Sequence, residues 1–563
     1  MATFGGSLMA DVPIFEQNAR HHPVLARSGM VSTQEAHATR AAREVLEAGG
    51  NAIDAAVVAG FALAVTLPRA GPLGGGGFMV VHLAEGSRTF AVDYRERAPA
   101  AAHRDLFLNE AGEADANKSR WSSLAVGVPG NVAGFLHVLE NYGTLSRADA
   151  LAPAIQLAEE GFPVTPDFHA SLLFSAPRLV RDPDARRIFL QDTGQPPPIG
   201  SIFRQPELAK SLRMIATDGA SAFYEGPIAH ALVEYMQATD GLITLEDLAT
   251  YEPIERDTVT GTYRGYRVHS MPPPSSGGVH LVQILKKLEP FDLSPEEAGS
   301  AAVLHLLSEA MKRAYADRSE YLGDPDFVDV PVASLLNPAY LAARMADFDP
   351  ARATPAENIL PGDVAVQEGG DNTTHFSVVD AAGNAVSNTY SINFSYGVHR
   401  MIPGTGILLN NTMDDFAAKP GVPNAYGLIG GDRNAVAGGK RMLSSMTPTI
   451  VFDAEDNVFL VTGSPGGSRI ITTTLQILLN VIDFRMNIAA ATSAPRIHHQ
   501  WLPDEIRIEE GISPDTRRLL EQKGHRVRQQ PAMGSTQSIL RTEQGWWSGV
   551  SDPRRPDALT EGY

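Results

Sequence analysis

The stretch TTHFSVVD, residues 373–380, decides how the fold of this chain is interpreted. A threonine in the middle of a chain is a poor nucleophile, because no base stands beside its hydroxyl group. Cutting the Asn372–Thr373 bond would change this, since the freed α-amine could take the proton from Oγ1 of the same residue. The stretch therefore predicts a chain that is cut before Thr373 and uses this threonine as an N-terminal nucleophile.

The residues that follow predict a β-hairpin, with two strands joined by the turn AAGN at 381–384. Counting back through this hairpin places Thr373 opposite about Ile392, so that Ser391 and Asn393 become its polar neighbours on the other strand. A threonine-rich hairpin with no catalytic role fits these residues equally well, because short motifs are weakly specific.

The composition describes an ordinary soluble globular protein. Of its 563 residues, 43% are hydrophobic and 20% are charged, which predicts a large buried core and about two to four domains. The net charge of −19 argues against nucleic acid and anionic membranes as partners, so an acidic ligand would need local donors and cations. The sequence has no cysteine, which excludes disulfides, thiolate metal sites and a cysteine nucleophile.

Residues 1–22 are interpreted as a polar N-terminal arm. They contain no basic start followed by an apolar run, so no signal peptide is visible. The longest apolar stretch, residues 55–68, is too short to span a bilayer and favours a buried helix. We therefore expect no membrane span.

Local signals predict several helices. Ser32 or Thr33 is expected to cap a helix that ends near Ala48, and Asn51 to cap a second helix that is apolar on nearly all sides. Three further stretches share a helical pattern: residues 132–140, 227–238 and 469–482.

From about residue 22 onward, the chain resembles the γ-glutamyltranspeptidase family, also called glutathione hydrolases. Ten motifs carry the resemblance in the family's order: GGNAIDAA (49–56), LGGGGF (73–78), DYRERAP (93–99), MPPPSSGG (271–278), AYADRSEYLGDPDF (314–327), TTHFSVVD (373–380), LLNNTMDDF (408–416), LSSMTPT (443–449), GSPGGSR (463–469) and SDPRRPDALTEGY (551–563). The resemblance implies an α/β (α+β) fold, the four-layer αββα sandwich of the N-terminal-nucleophile hydrolases. It also implies that one inactive precursor cuts itself into a large subunit, residues 23–372, and a small catalytic subunit, residues 373–563, which form one globule.

The resemblance further implies an activity. Members cleave the γ-glutamyl amide of glutathione and related compounds through a γ-glutamyl-threonine acyl-enzyme, and pass the acyl group to water, an amino acid or a dipeptide. This chemistry needs no cofactor, and the two subunits stay together as a heterodimer. Bacterial members are usually exported, so we expect either a periplasmic or extracellular protein whose leader is missing or hidden by a misassigned start, or a cytosolic one.

The glycine-rich turn GSPGGSR precedes a predicted helix, so its backbone N–H groups predict an anion site. In the resembled family the amides of two glycines, here Gly466 and Gly467, stabilise the tetrahedral oxyanion. Without the resemblance, a turn needed only for packing is the first interpretation. Ser391 matches a position where many relatives carry a second threonine, whose hydroxyl bonds the nucleophile.

The resemblance assigns the donor's α-carboxylate to Arg95 and to the serine pair Ser444 and Ser445. Arginine suits a carboxylate because its planar fork can bind both oxygens. Adjacent serines on a strand point in opposite directions, so both can reach one ligand only if the chain bends or a backbone group donates. Asp415 and Asn393 match the two residues that hold the donor's α-ammonium.

Three further positions and one histidine pair are interpreted individually. Thr412 stands where relatives commonly carry Glu or Gln as another contact to the α-amino group, so a weaker grip on the donor is expected. Tyr426 matches a lid tyrosine of some bacterial members, and Asp414 is interpreted as a solvated charge. The pair His498-His499 lacks the spacing of a metal site, so no metal is expected.

Two other functions remain open. A cephalosporin or glutaryl acylase could be built on the same scaffold, but it needs no α-ammonium contact, so Asp415 with Asn393 argues against it. A non-catalytic single-chain binding protein could also keep this fold, and the intact set of Thr373, Ser391 and the two glycines argues against that.

Overall fold

The computed structural model of the chain describes residues 19–362, 373–419 and 432–563. Its helices are α1 (Ala36–Glu47), α2 (Ala52–Thr66), α3 (Ala116–Trp121), α4 (Asn131–Tyr142), α5 (Arg147–Glu160), α6 (Pro166–Leu179), α7 (Pro183–Phe189), α8 (Pro206–Asp218), α9 (Ser221–Tyr224), α10 (Pro227–Ala238), α11 (Leu245–Ala249), α12 (Gly277–Leu288), α13 (Ala301–Tyr321), α14 (Val332–Leu335), α15 (Pro338–Arg344), α16 (Arg469–Ile482), α17 (Ile488–Ser493) and α18 (Pro514–Gln522). Its strands are β1 (Val24–Ala26), β2 (Met30–Thr33), β3 (Gly76–Leu83), β4 (Arg88–Tyr94), β5 (Phe162–Pro163), β6 (Ile202–Phe203), β7 (Ile254–Arg256), β8 (Val259–Tyr263), β9 (Tyr266–Ser270), β10 (Thr374–Val379), β11 (Ala385–Ser391), β12 (Met401–Ile402), β13 (Ile407–Leu408), β14 (Thr449–Phe452), β15 (Val458–Thr462), β16 (Ile497–His498), β17 (Ile506–Ile508), β18 (Val527–Gln529), β19 (Gln537–Arg541), β20 (Trp547–Ser551) and β21 (Leu559–Gly562).

Two seven-stranded sheets form the centre of the described structure. The first has the strand order β1-β20-β19-β15-β14-β9-β8, and the second has the order β21-β2-β10-β11-β3-β4-β7. The sheets face each other, since apolar side chains of both form one buried cluster that includes Val379, Ile450 and Val461. A 2.9 Å hydrogen bond from the Ser377 hydroxyl to the backbone oxygen of Gln537 also crosses between them.

Helices cover the outer faces of both sheets. On the second sheet, α1, α2 and α4 pack in one cluster with Phe376 and Val378 of β10. On the first sheet, α12, α13 and α16 pack with Val451 and Leu460. All 15 residues of α2 are buried, as its uniformly apolar sequence predicts. The layers confirm the four-layer αββα sandwich, and within the described ranges no helix is both long and apolar enough to cross a membrane.

The register of the β10–β11 hairpin differs by one residue from the prediction. Thr374 pairs with Tyr390, so continuing the ladder places Thr373 opposite Ser391 instead of Ile392. Residues that pair directly in an antiparallel ladder point to the same face. The Ser391 side chain therefore lies on the side of the sheet to which Thr373 points.

The turn of this hairpin explains the shift. The Asp380 N–H donates to the Asn384 backbone oxygen at 3.1 Å, which leaves a three-residue loop in place of the predicted four-residue turn. Gly383 takes a φ of +92°, which glycine adopts without the steric cost of a side chain. The Asp380 carboxylate also accepts 2.9 Å hydrogen bonds from the N–H groups of Ala382 and Asn384. The side chain of the residue directly before the loop thus selects the loop's length.

Helix boundaries follow the sequence signals except at the start of α1. Asn51 caps α2 in a reciprocal capping box, and α10 and α16 have the predicted bounds. The prediction that Ser32 or Thr33 caps α1 is wrong, because both residues belong to β2, which pairs with β10 and β21. The Glu35 side chain caps α1 instead, accepting from two backbone N–H groups of the first turn.

Segments on both sides of Thr373 share the two sheets. In the second sheet β10 and β11, which follow Thr373, lie between β2 and β3, which precede it. The last strand, β21, pairs with β2. Two pieces cut at Thr373 would therefore remain joined through continuous sheets. Residues 1–18 of the predicted arm lie outside the described residues.

Candidate active site

Thr373 lies directly before β10 with 7% of its surface exposed. Ser391, opposite it in the continued ladder, is held by backbone pairing with Gly76 of β3. Its Oγ also accepts a 2.8 Å hydrogen bond from the N–H of Asn393. Two predicted site residues, Ser391 and Asn393, thus lie beside the predicted nucleophile.

His375 lies on the same face of β10 as Thr373 but is bonded elsewhere. Its Nδ1 lies 2.8 Å from Thr389 Oγ1, and its Nε2 lies 3.1 Å from Ser377 Oγ. Burial lowers the pKa of His375 to about 3, so the ring stays neutral near physiological pH. The geometry therefore favours the α-amine that a cut before Thr373 would free, rather than this imidazole, as the base.

Glycines between α2 and β3 bring the hairpin close to a second group of polar residues. A β-carbon at Gly75 would collide with the backbone oxygen of Ser391, and one at Gly76 would lie 2.6 Å from the backbone nitrogen of Glu96. Only a residue without a side chain allows both approaches. The glycine segment that leads into β3 therefore packs closely against both the hairpin that begins at Thr373 and the segment DYRERAP, with β3 between them in the sheet.

Arg95, in that segment, bonds Asp415. The arginine is 1% exposed, and its Nη2 donates to Asp415 Oδ2 while its Nη1 lies 3.4 Å from Glu96 Oε2. The predicted ligands of an α-carboxylate and of an α-ammonium are thus neighbours, as ligands of two groups on one carbon must be. A zwitterionic donor would replace this ion pair by two new ones, between its carboxylate and Arg95 and between its ammonium and Asp415.

Glu96 is a residue of the candidate site that the sequence argument missed. It is fully buried, and its Oε1 accepts a 2.7 Å hydrogen bond from Thr412 Oγ1. Burial raises the pKa of Glu96, and the nearby Arg95 charge and the Thr412 bond oppose that rise. The available signal was the acidic residue directly after Arg95 in DYRERAP. Thr412 therefore touches a buried carboxylate that lies directly beside Arg95.

A 3₁₀ turn, Thr412–Asp415, carries two of the predicted donor contacts. Asn393 is held against the start of this turn, because its Nδ2 donates to the backbone oxygen of Asn411 at 3.0 Å. The backbone of Asn393 has a φ of +69°, a left-handed conformation that asparagine tolerates better than most residues. Asn393 and Asp415, the two predicted ammonium contacts, thus lie on adjoining segments.

The interpretation of Asp414 as a solvated charge is wrong. Its side chain is 3% exposed and accepts hydrogen bonds from Ser119 Oγ at 2.6 Å and from Arg120 Nε at 3.3 Å. Burial raises the pKa of Asp414 to about 7, against the opposing effect of the Arg120 charge. Because Ser119 and Arg120 lie on α3, Asp414 fastens the 3₁₀ turn to that helix, while Asp415 faces Arg95.

Ser444 and Ser445 lie in an irregular segment before β14, so they are not bound to the alternation of a strand. Ser444 Oγ accepts a 3.1 Å hydrogen bond from a backbone N–H two residues further on. Ser445 Oγ accepts a 2.7 Å hydrogen bond from Nη2 of Arg318. Arg95 Nε donates to the backbone oxygen of Met442 at 3.3 Å, which joins Arg95 to the segment that carries both serines.

Gly466 and Gly467 form the turn into α16, with φ values of +130° and +57°. In the described structure no side chain caps this helix at Ser468. The N–H groups of Arg469 and Ile470 instead bond the backbone oxygens of Gly466 and Gly467 at 3.2 and 2.9 Å, so the two glycines form the positive end of the helix dipole. Such a turn can stabilise a negatively charged oxygen, as the sequence predicts.

A chain of hydrogen bonds joins this turn to the strand that follows Thr373. Thr374 Oγ1 donates to Gln34 Oε1 at 3.1 Å, and Gln34 Nε2 donates to the backbone oxygen of Ser535 at 3.4 Å. The N–H of Ser535 then donates to Ser464 Oγ at 3.0 Å, two residues before Gly466. This network ties together residues next to the predicted nucleophile and next to the predicted oxyanion donors, so it fixes the positions of the two segments relative to each other.

Two predicted site residues, Tyr426 and Asn372, lie outside the described residues. Their roles as a lid and as the residue before the cut stay predictions.

The paired histidines are bonded to side chains of the protein. His498 lies 2.9 Å from Thr472 Oγ1 and 3.0 Å from Gln500 Oε1. His499 lies 3.2 Å from Asp504 Oδ1, so the two rings address different partners.

Another buried group brings three potential metal-ligand atoms, from His305, Glu309 and His525, within 4.8 Å of one another. The two histidine rings bond each other at 2.6 Å. Glu309 already pairs with Lys312 and Arg313, each at 2.6 Å. Two cations on the one carboxylate make this group a poor site for a metal ion.

The chain is similar to known proteins along nearly its whole length. The profile of the family described as gamma-glutamyltranspeptidase matches residues 38–561. The chain is 52% identical to the glutathione hydrolase proenzyme of Escherichia coli (strain K12), over 96% of this chain and 93% of that protein. A crystal structure of a cephalosporin acylase from Bacillus halodurans superposes with a TM-score of 0.85 at 28% identity and covers 99% of both chains. The γ-glutamyltranspeptidase structure of Helicobacter pylori has a TM-score of 0.58 at 42% identity, over 62% of this chain and 97% of that one.

Proposed function

Because the chain belongs to the γ-glutamyltranspeptidase family, we propose that it is a self-processing γ-glutamyltransferase and glutathione hydrolase. Its donors are glutathione and related γ-glutamyl compounds, and its acceptors are water, amino acids and dipeptides. The precursor is cut before Thr373, and the two pieces stay together as a heterodimer. The observation that carries the proposal is the buried pair of Arg95 and Asp415, in which Arg95 follows β4 and is separated from the hairpin that begins at Thr373 by one strand, β3.

The reaction begins at the Thr373 hydroxyl. Once the chain is cut, the α-amine of Thr373 takes the Oγ1 proton while Oγ1 attacks the γ-glutamyl carbonyl. The amides of Gly466 and Gly467 stabilise the charge that develops on the carbonyl oxygen, and Ser391 orients the nucleophile. The α-ammonium returns its proton to the leaving amine, which is cysteinylglycine when the donor is glutathione. Water or an acceptor amine then attacks the acyl-enzyme and restores Thr373.

Five side chains recognise the donor's amino-acid head. Arg95, Ser444 and Ser445 hold the α-carboxylate, and Asp415 and Asn393 hold the α-ammonium. A buried arginine is needed for the first task, because the net charge of −19 gives the protein no long-range attraction for an anion.

An acylase is the second candidate function, favoured by the TM-score of 0.85 to the cephalosporin acylase. A glutaryl group has a carboxylate but no ammonium. It would satisfy Arg95 and leave the buried carboxylates of Glu96 and Asp415 without the positive charge of an amino-acid head. The site therefore favours γ-glutamyl donors over glutaryl donors.

One experiment on the purified protein tests the proposal. Denaturing electrophoresis with intact masses should show residues 373–563 as a separate chain of 563 − 372 = 191 residues that begins with threonine. The same protein should hydrolyse a γ-glutamyl anilide much faster than a glutaryl anilide. A single uncut chain that hydrolyses the γ-glutamyl anilide would contradict the N-terminal threonine mechanism, and faster glutaryl hydrolysis would favour the acylase.

Thr412→Gln is expected to lower KM for a γ-glutamyl donor by roughly 2- to 5-fold, because a longer amide oxygen adds about 0.5–1 kcal/mol of hydrogen bonding to the α-ammonium. Thr412→Glu should give a smaller gain near neutral pH. Its carboxylate would lie beside Glu96, whose pKa burial already raises, so the pair would retain a proton.

The measurement is KM for γ-glutamyl and glutaryl anilides from about pH 6 to 9, because the gain from the glutamate variant should grow as pH rises and the pair loses its proton. Neither variant should improve the glutaryl donor, which has no amine to bind. Unchanged KM values for both variants on both donors would show that Thr412 does not contact the donor.

A further inference from the structure

Arg318 lies behind the serine pair, on the buried helix α13. Its side chain is fully buried, and its contacts include two directed hydrogen bonds. Nε donates to Ser276 Oγ at 2.8 Å, and Nη2 donates to Ser445 Oγ at 2.7 Å. One guanidinium group thus connects a residue of the segment MPPPSSGG with a residue of the segment LSSMTPT.

These two segments are also bonded along their backbones. Both the N–H and the hydroxyl of Ser276 donate to the Ser444 backbone oxygen at 2.8 Å. The Ser444 N–H donates to the Pro274 oxygen at 2.9 Å, and the Ser275 hydroxyl donates to the Met446 oxygen at 2.6 Å. The segment at 274–276 precedes the proposed cut and the serine pair follows it. Arg318 therefore belongs to a clasp through which the large subunit holds donor-binding residues of the small subunit.

The bond from Arg318 constrains the direction of the Ser445 hydroxyl. A serine hydroxyl has one hydrogen and two acceptor positions, whereas an arginine side chain only donates. The Ser445 hydrogen cannot point at Arg318 and must be directed to another acceptor. The arginine is also permanently charged, so it polarises the hydroxyl and makes the Ser445 hydrogen a better donor.

We propose that Arg318 is a positioning residue for donor binding, which acts through Ser445 by turning the serine's hydroxyl hydrogen toward the donor's α-carboxylate. The proposal rests on the proposed function, because it presupposes that the serine pair contacts that carboxylate. It assigns to the large subunit a part in carboxylate recognition beyond the direct contact made by Arg95.

Three anilide donors separate this role from a purely structural one. The γ-glutamyl donor has the carboxylate and the amine, the glutaryl donor lacks the amine, and the 4-aminobutyryl donor lacks the carboxylate. Arg318→Gln is expected to lower kcat/KM for both carboxylate donors by about tenfold, mostly through KM, as for loss of one hydrogen bond to a charged group. For the 4-aminobutyryl donor, kcat/KM per mole of cut enzyme should not change.

A double-mutant cycle shows whether Arg318 acts through Ser445. In Ser445→Ala the hydroxyl is absent, so adding Arg318→Gln should cause no further loss on the carboxylate donors. Additive losses would overturn the proposal. So would an equal loss on all three donors, which is the result expected if the variant only loosens the fold.

Arg313→Gln is the matched control. Arg313 is also buried on α13 but bonds Glu309 at 2.6 Å and does not contact the serine pair in the described structure. Its loss should lower stability and leave the ratio of the three donors unchanged. If Arg318→Gln does not yield cut protein, Arg318→Lys is tested in its place. A lysine keeps the charge but not the two-pronged contact, so the same shift in the ratio of the donors is expected.

Wild-type activity separates the two hypotheses. Wild-type protein that hydrolyses no γ-glutamyl donor would refute the proposed function itself. An active wild type whose Arg318 variants lose activity equally on all donors would refute only the positioning role.

Discussion

Thr373→Ala is expected to remain one uncut chain of 563 residues and to lose γ-glutamyl hydrolysis by about 10⁴-fold or more, as when a nucleophile is removed from other covalent hydrolases. The reason is that one hydroxyl serves both the cut and turnover. Although Thr373 is buried, with 7% of its surface exposed, the substitution removes only a hydroxyl and a methyl group, so the fold should survive. Intact mass and the hydrolysis rate of a γ-glutamyl anilide measure the two effects on one sample.

Thr374→Ala provides the matched control, because Thr374 is the neighbouring threonine but points to the other face of β10. Its hydroxyl bonds Gln34 at 3.1 Å, so its loss should cost about 1 kcal/mol of stability and leave cutting and turnover in place. Thr373→Ser keeps the hydroxyl and should still cut itself. Two chains from Thr373→Ala would show that another group performs the cut.

The local elements of this fold could be predicted because their signals are local. Asn51 with Asp54 three residues later is the sequence signature of a helix start, and the alternation in TTHFSVVD favours a strand. The hairpin register depends instead on how the Asp380 side chain folds back onto its own loop, which the strand pattern does not contain. The error of one residue came from that side chain.

The residues of the candidate site could be predicted where the family's motifs match this sequence. The contacts between these residues could not be predicted. Glu96 and Thr412 lie 316 residues apart in sequence, and Arg318 and Ser445 lie 127 apart. Residue types near a motif do not reveal such pairs, because only the packing of the layers brings them together. Asp414 shows the same limit, since it looks identical to Asp415 in sequence and differs only in that it faces α3.

Asp415→Asn is expected to lower kcat/KM for a γ-glutamyl donor by about 10- to 150-fold, the value of a hydrogen bond to a charged group of about 1.5–3 kcal/mol. The asparagine can still accept a hydrogen bond but no longer neutralises the α-ammonium. The measurement compares γ-glutamyl and glutaryl anilides, which differ only in that amine.

The glutaryl donor should behave in the opposite way. In the wild type the Arg95 guanidinium is bonded to Asp415, and an incoming carboxylate must compete for it. Removing the aspartate charge ends this competition, so glutaryl hydrolysis should stay equal or rise. In this variant Glu96 still lies 3.4 Å from Arg95 and balances the charge of the arginine, so we expect the protein to fold.

Two further variants test whether the change in the ratio of the two donors is specific to Asp415. Asp414→Asn changes the adjacent carboxylate, which bonds Ser119 and Arg120, and should lower stability without changing the ratio of the two donors. Arg95→Lys should impair both donors, because both carry the carboxylate and a lysine cannot replace the two-pronged contact. Equal losses of kcat/KM on both donors in Asp415→Asn would show that Asp415 does not hold the ammonium. The acylase would then be the better assignment, because no contact to the amine would explain a preference for γ-glutamyl donors.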